Sequence, residues 1–169
     1  MILMTGFASA QFVPKEQGSS MTFKIKNFGF DVTGRFTGIE GKIDFDPEKP
    51  GKDMFDITID AGSINTNNSL RDKHLTGEGY FNVSKFPRIH FISTSVMAGP
   101  NKGTFILTGQ LTIKNIVREI KFPFIAISLG EGYSFKGSFK IKRRDFGVGG
   151  ASTIADELEV MVSVQAGKA

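Results

Sequence analysis

Cysteine is absent from the 169 residues, which excludes disulfide frameworks, thiolate metal sites and cysteine nucleophiles. Tryptophan is absent as well, and tyrosine and histidine occur only twice each. Neither His74 nor His90 has a second histidine or a carboxylate at metal-ligand spacing, so no metal is expected. No serine lies in a G-x-S-x-G elbow, and the glycine-rich run 147–153 lacks the lysine of a phosphate-binding loop. The carboxylates of 44–48 lack the ligand spacing and central glycine of a calcium loop. These absences leave no recognisable catalytic set, and the expectation is a non-enzyme without a cofactor. The 21 Lys and Arg against 17 Asp and Glu are scattered, not gathered in a tail or stripe, which argues against a nucleic-acid partner. No segment approaches the apolar length of a membrane-spanning helix.

What the sequence does have is phenylalanine, 17 of them, set in segments of strict two-residue alternation. Phe55, Ile57 and Ile59 alternate with Asp56, Thr58 and Asp60, and Phe105, Leu107, Gly109, Leu111 and Ile113 alternate with Thr108, Gln110 and Thr112. Phe135, Gly137, Phe139 and Ile141 alternate with serines and lysines, and Leu158, Val160, Val162 and Val164 form the last such run. A period of two puts these apolar sets on one face of β-strands. Less regular strands are expected over 28–36, 89–96 and 117–127. Turn-forming residues at 46–51, 98–103 and 130–132 punctuate the runs at the short intervals of an all-β sandwich or barrel. One stretch, 65–76, loses the alternation, begins among asparagines and ends at Gly77, which predicts a short helix. Glycines at 41, 109 and 137 fall on the apolar parity, where they bend strands or leave room beside a ligand. The first ten residues form a short apolar run ending Ala8-Ser9-Ala10, the small-residue pattern that precedes signal-peptidase cleavage. Residues 1–10 are therefore expected to be the remnant of an export signal, with the position of the true N-terminus left open, and 11–169 a single domain of a periplasmic or secreted protein.

Three stretches carry a family likeness. The segment Leu70-Arg71-Asp72-Lys73-His74-Leu75, then Tyr80-Phe81-Asn82-Val83, then Phe86-Pro87-Arg88-Ile89-His90-Phe91, resembles the central signature of YceI-like proteins. Gly109-Gln110-Leu111-Thr112-Ile113 is similar to their G-x-L-T-I strand, and Arg143-Arg144-Asp145-Phe146-Gly147 to their R-x-D-F-G motif. Two departures, Tyr80-Phe81-Asn82 for a double Phe followed by Asp, and Asn115-Ile116 where a Gly is usual, lie near strand ends. The resemblance implies an eight-stranded antiparallel lipocalin-like β-barrel with one short helix. It also implies binding, carriage or storage of a long amphiphile, a polyisoprenoid or quinone-like lipid, with no catalytic residues.

On that reading the apolar parity supplies the lipid-binding residues: Phe23, Ile25, Phe55, Ile57, Phe91, Phe105 and Leu107, continuing with Leu111, Phe135, Phe139, Ile141, Val160 and Val162. Arg143, which shares the parity of Ile141 if the strand continues, is expected to hold a polar headgroup or to form a structural ion pair with Asp145. A transient contact with a membrane surface is compatible with the diffuse positive charge, and a homodimer is left open. The rival reading is a ligand-free stress or interaction protein whose lumen is filled by its own phenylalanines.

Overall fold

The computed structural model describes residues 10–169, so the expected export-signal remnant lies outside the described residues except for Ala10. Among them are nine antiparallel strands: β1 (Gln11–Asn27), β2 (Phe30–Phe36), β3 (Glu40–Asp44), β4 (Met54–Asp60), β5 (Arg88–Ala98), β6 (Thr104–Ile113), β7 (Ile116–Ser128), β8 (Tyr133–Lys142) and β9 (Ile154–Lys168). From β3 to β9 each strand pairs with its neighbour in sequence, and β9 pairs with β1. The other edge of β1 takes β3 at Gln11 and Phe12 and β2 over Met21–Asn27. β2 and β3 are therefore two halves of one interrupted strand, and the ring closes with eight strands, as the family likeness implies. Closure removes the open edges that make sheets aggregate.

One edge stays uncovered by a strand. β3 continues the ring to β4, whereas the outer edge of β2 meets only an isolated bridge from Arg35 to Asn65. The segment 61–83 covers it and contains the one α-helix of the described residues, α1 (Ser69–Leu75). Asn68 caps α1 by accepting from the Arg71 N–H at 3.0 Å. The helix is shorter than the predicted 65–76 because the preceding residues are spent on tertiary bonds. Thr66 donates its N–H to the Asp72 carboxylate at 2.9 Å and accepts from Arg71 Nε at 2.8 Å.

The phenylalanines divide the interior into a solid part and a hollow part. At one end Phe45, 1% exposed, sits at the centre of a ring cluster. Its centroid lies 4.8 Å from Tyr133, 5.0 Å from Phe135 and 5.4 Å from Phe105, all edge-on. Phe12 packs on Tyr133 and Phe105 stacks on Phe124 in the same layer. Edge-to-face aromatic contacts favour this geometry beyond simple burial. Gly109 illustrates how the barrel curves above this floor. It faces a register slip in β5 between Ser93 and Ser95, and a Cβ there would lie 2.4 Å from the Phe91 ring. The glycine thus serves strand bending and admits a neighbouring ring, not a ligand.

Candidate functional site

Above the aromatic floor the barrel encloses a cavity of about 230 Å³, counted as room for the centres of water-sized spheres. A single buried water needs roughly 10–15 Å³ by that measure, so the space is far larger than a packing defect. Its wall is almost wholly hydrocarbon and draws on every strand of the ring and on segment 61–83. Wall residues next to the floor, such as Ile43, Phe55, Leu107 and Phe135, are buried, whereas Ile25, Val32, Ile141, Leu158 and Val160 at the other end are only half-buried. At that same end Ile59, Ile113, Phe146 and Val148 on the opposite wall are buried, so the more accessible side of the chamber is the one formed by β1, β2, β8 and β9, beside the β1–β2 turn.

The strand period places most of the predicted residues together. Phe23, Ile25, Phe55, Ile57, Phe91, Leu107, Leu111, Phe135, Phe139, Ile141, Val160 and Val162 all line the chamber. Phe105 does not. It is buried in the floor, stacked on Phe124 at 5.2 Å, because its strand position lies one layer too deep to reach the hollow part.

Sequence reasoning missed several walls. Phe122 lines the chamber from β7, but apolar residues occupy both faces of that strand, with Ile125 and Ile127 exposed outside, so alternation could not choose the inner one. Arg71 and Leu75 face inward together because helix positions i and i+4 share a side. Tyr80 and Phe81 line it from the loop after the helix. Their signal was the aromatic pair itself, which carries no periodicity. His74 packs edge-on against Tyr80 at 5.1 Å, a supporting contact. His90 stands on the outer face, 2.7 Å from Asp56.

Arg143 lines the chamber, but its expected pairing with Asp145 requires a correction. The chain leaves strand geometry after Lys142 and makes a 3-10 turn over Arg143–Phe146, so residues i and i+2 no longer share a side. Asp145 points to solvent, and among the described residues no ion pair joins it to Arg143. The Arg143 side chain, 6% exposed, donates instead to the carbonyls of Ala155, Val148 and Ile154, each at 2.9 Å. It ties the loop 147–153 across the end of the barrel, and Gly147, at φ 66°, ends the turn in the left-handed region. Replacing Arg143 with Leu strands these acceptors, and a stability loss of about 2–3 kcal/mol is expected, part of it recovered by water at the loop. Chemical denaturation measures the loss.

Strong electrostatic perturbation occurs away from the chamber. Partial burial pushes Asp53 up to about 7, against the N–H of Asp46, which it accepts at 2.7 Å. Its second carboxylate oxygen has no hydrogen-bond partner among the described residues. Because the folded-state value is raised, the folded protein keeps a proton that the unfolded chain releases, so stability falls as pH rises from about 4 to about 7. Asp53→Asn is expected to flatten that slope in thermal melts run across this window.

Fold and chamber together define a closed antiparallel barrel with an apolar internal cavity. Residues 12–166 match the family model described as a YceI-like domain, and the chain belongs to that family. It is 35% identical over 160 residues to a Pseudomonas aeruginosa protein named UPF0312 protein, covering 88% of this chain and 81% of that one. A Shewanella denitrificans protein of the same name is 31% identical, with 88% and 82% covered. Among solved structures, Burkholderia cenocepacia BcnA superposes with a TM-score of 0.85 at 24% identity, covering 90% of this chain and 98% of that one. A polyisoprenoid binding domain from Saccharophagus degradans superposes with a TM-score of 0.75 at 13% identity, covering 96% and 100%.

Proposed function

We propose that this protein binds a long-chain amphiphilic lipid, of polyisoprenoid or quinone-like type, in the barrel and carries or stores it without chemical change. The observation that carries the reading is a roomy hydrocarbon chamber above a floor already packed with aromatic rings. The protein's own phenylalanines fill one end of the lumen and leave the other hollow, which a ligand-free structural role does not require. The Saccharophagus degradans neighbour, described as polyisoprenoid binding, shares the fold and lends the ligand class.

The driving force is removal of the tail from water, about 0.8 kcal/mol per buried methylene. A five-carbon isoprene unit then contributes roughly 3–4 kcal/mol gross, before the cost of ordering the ligand. A few units suffice for tight binding. The small-residue pattern at Ala8-Ser9-Ala10 supports action in the periplasm or outside the cell.

The test is uptake of a solubilised polyprenyl alcohol or prenylquinone. Protein passed through gel filtration after incubation should carry about one lipid per chain, detected by solvent extraction. Recovery of lipid-free protein at all ratios would overturn the proposal.

A further inference from the structure

The β1–β2 hairpin turns through Phe28 and Gly29, both at positive φ (51° and 78°), between the paired residues Asn27 and Phe30. Such two-residue turns favour Asn-Gly, and a bulky residue at positive φ is strained. The same molecule uses Lys114-Asn115 for the equivalent turn of β6–β7, at φ 52° and 63°. At the β1–β2 tip it instead holds a phenylalanine 72% exposed, with Phe30 beside it 77% exposed. Neither ring serves the core.

Their position is informative. Asn27, the residue before the tip, lines the chamber, and Phe28 N–H donates to the Thr153 carbonyl at 3.2 Å. The loop bearing Thr153 meets segment 61–83 through Gly149 N–H and the Gly79 carbonyl. The tip thus stands beside the more accessible side of the chamber, formed by β1, β2, β8 and β9.

From this we infer that the Phe28-Gly29-Phe30 prong inserts into a lipid bilayer and seats the more accessible side of the chamber on the membrane, where lipid passes between the two. Two phenylalanines offer roughly 300–500 Å² of contact, well short of the 800 Å² or so that each partner contributes to a stable protein interface. A convex aromatic prong does suit the bilayer interface, where bulky aromatic residues dip below the headgroups. The purpose of the docking rests on the lipid-binding reading, but docking itself is measured without cargo, so the two fail separately.

The experiment is sedimentation with vesicles of phosphatidylglycerol and phosphatidylcholine, in the absence of prenyl lipid. Phe28→Asn combined with Phe30→Ser should lower vesicle binding at least tenfold. Uptake of a detergent-solubilised prenylquinone by that variant should be unchanged, while uptake from vesicles slows. Phe28→Asn alone, freed of the strained conformation, should melt higher by about 2–4 °C, which shows that lost binding is not lost folding. Leu129→Ser removes an exposed apolar side chain just beyond β7, at the floor end, and should leave binding intact. Unchanged vesicle binding in the double variant, or an equal loss in Leu129→Ser, would overturn the inference. So would binding of the wild type to a protein partner through Phe28 with no affinity for vesicles.

Discussion

Val160→Trp is expected to weaken binding of a long prenyl lipid on the order of 100-fold while leaving the protein folded. Val160 lines the chamber between two other wall residues, paired across strands with Phe23 on one side and Phe139 on the other. An indole at that position occupies space that the lipid tail would fill. Displacing four or five methylenes removes about 3–4 kcal/mol of gross burial, and each 1.4 kcal/mol is tenfold in affinity. Because the ring enters a void and not a packed layer, the overpacking cost should stay small. Fluorescence titration with the same lipid measures the loss, and Val160→Ala, which enlarges the chamber, should bind within a few-fold of wild type. Equal affinities for Val160→Trp and wild type would place the ligand elsewhere.

Phe45→Ala should be the most damaging single truncation, costing about 3–5 kcal/mol. Phe45 is wholly buried and touches rings contributed by β4, β6, β7 and β8, so its removal leaves a hole that no one strand can close. At roughly 2–4 °C per kcal/mol the melting temperature should fall by about 6–20 °C. Denaturant unfolding monitored by circular dichroism gives the free energy directly. A loss below about 1 kcal/mol would mean that the floor is not a tightly packed layer.

Much of this architecture is legible in two-residue alternation. β4, β6 and β8 each carry one clean apolar face, and nearly every residue chosen on that face does line the chamber. Alternation specifies a face but not a depth along the strand, so it cannot separate Phe105, which packs in the floor, from the residues of the wall. It also fails where both faces are apolar, as in β7, and where the chain leaves the strand. Arg143 belongs to the second kind: a 3-10 turn begins there, and the side chain reaches backbone carbonyls, partners with no sequence pattern. The interruption between β2 and β3 was equally hidden. It depends on the far edge of β1 being shared by two short strands, and long-range pairing leaves no local mark. Phenylalanine is an unusual occupant of a tight turn, so nothing local marks the hairpin at Phe28-Gly29 within the strand expected over 28–36.

The central claim is that the hollow part of the barrel holds a lipid. Native mass spectrometry of protein freshly purified without detergent, followed by solvent extraction, addresses it most directly. A bound species heavier than the bare chain by the mass of a prenyl-type lipid, released when the protein is unfolded, is expected. A single peak at the polypeptide mass, from protein that also stays empty after exposure to solubilised prenylquinone, would contradict it.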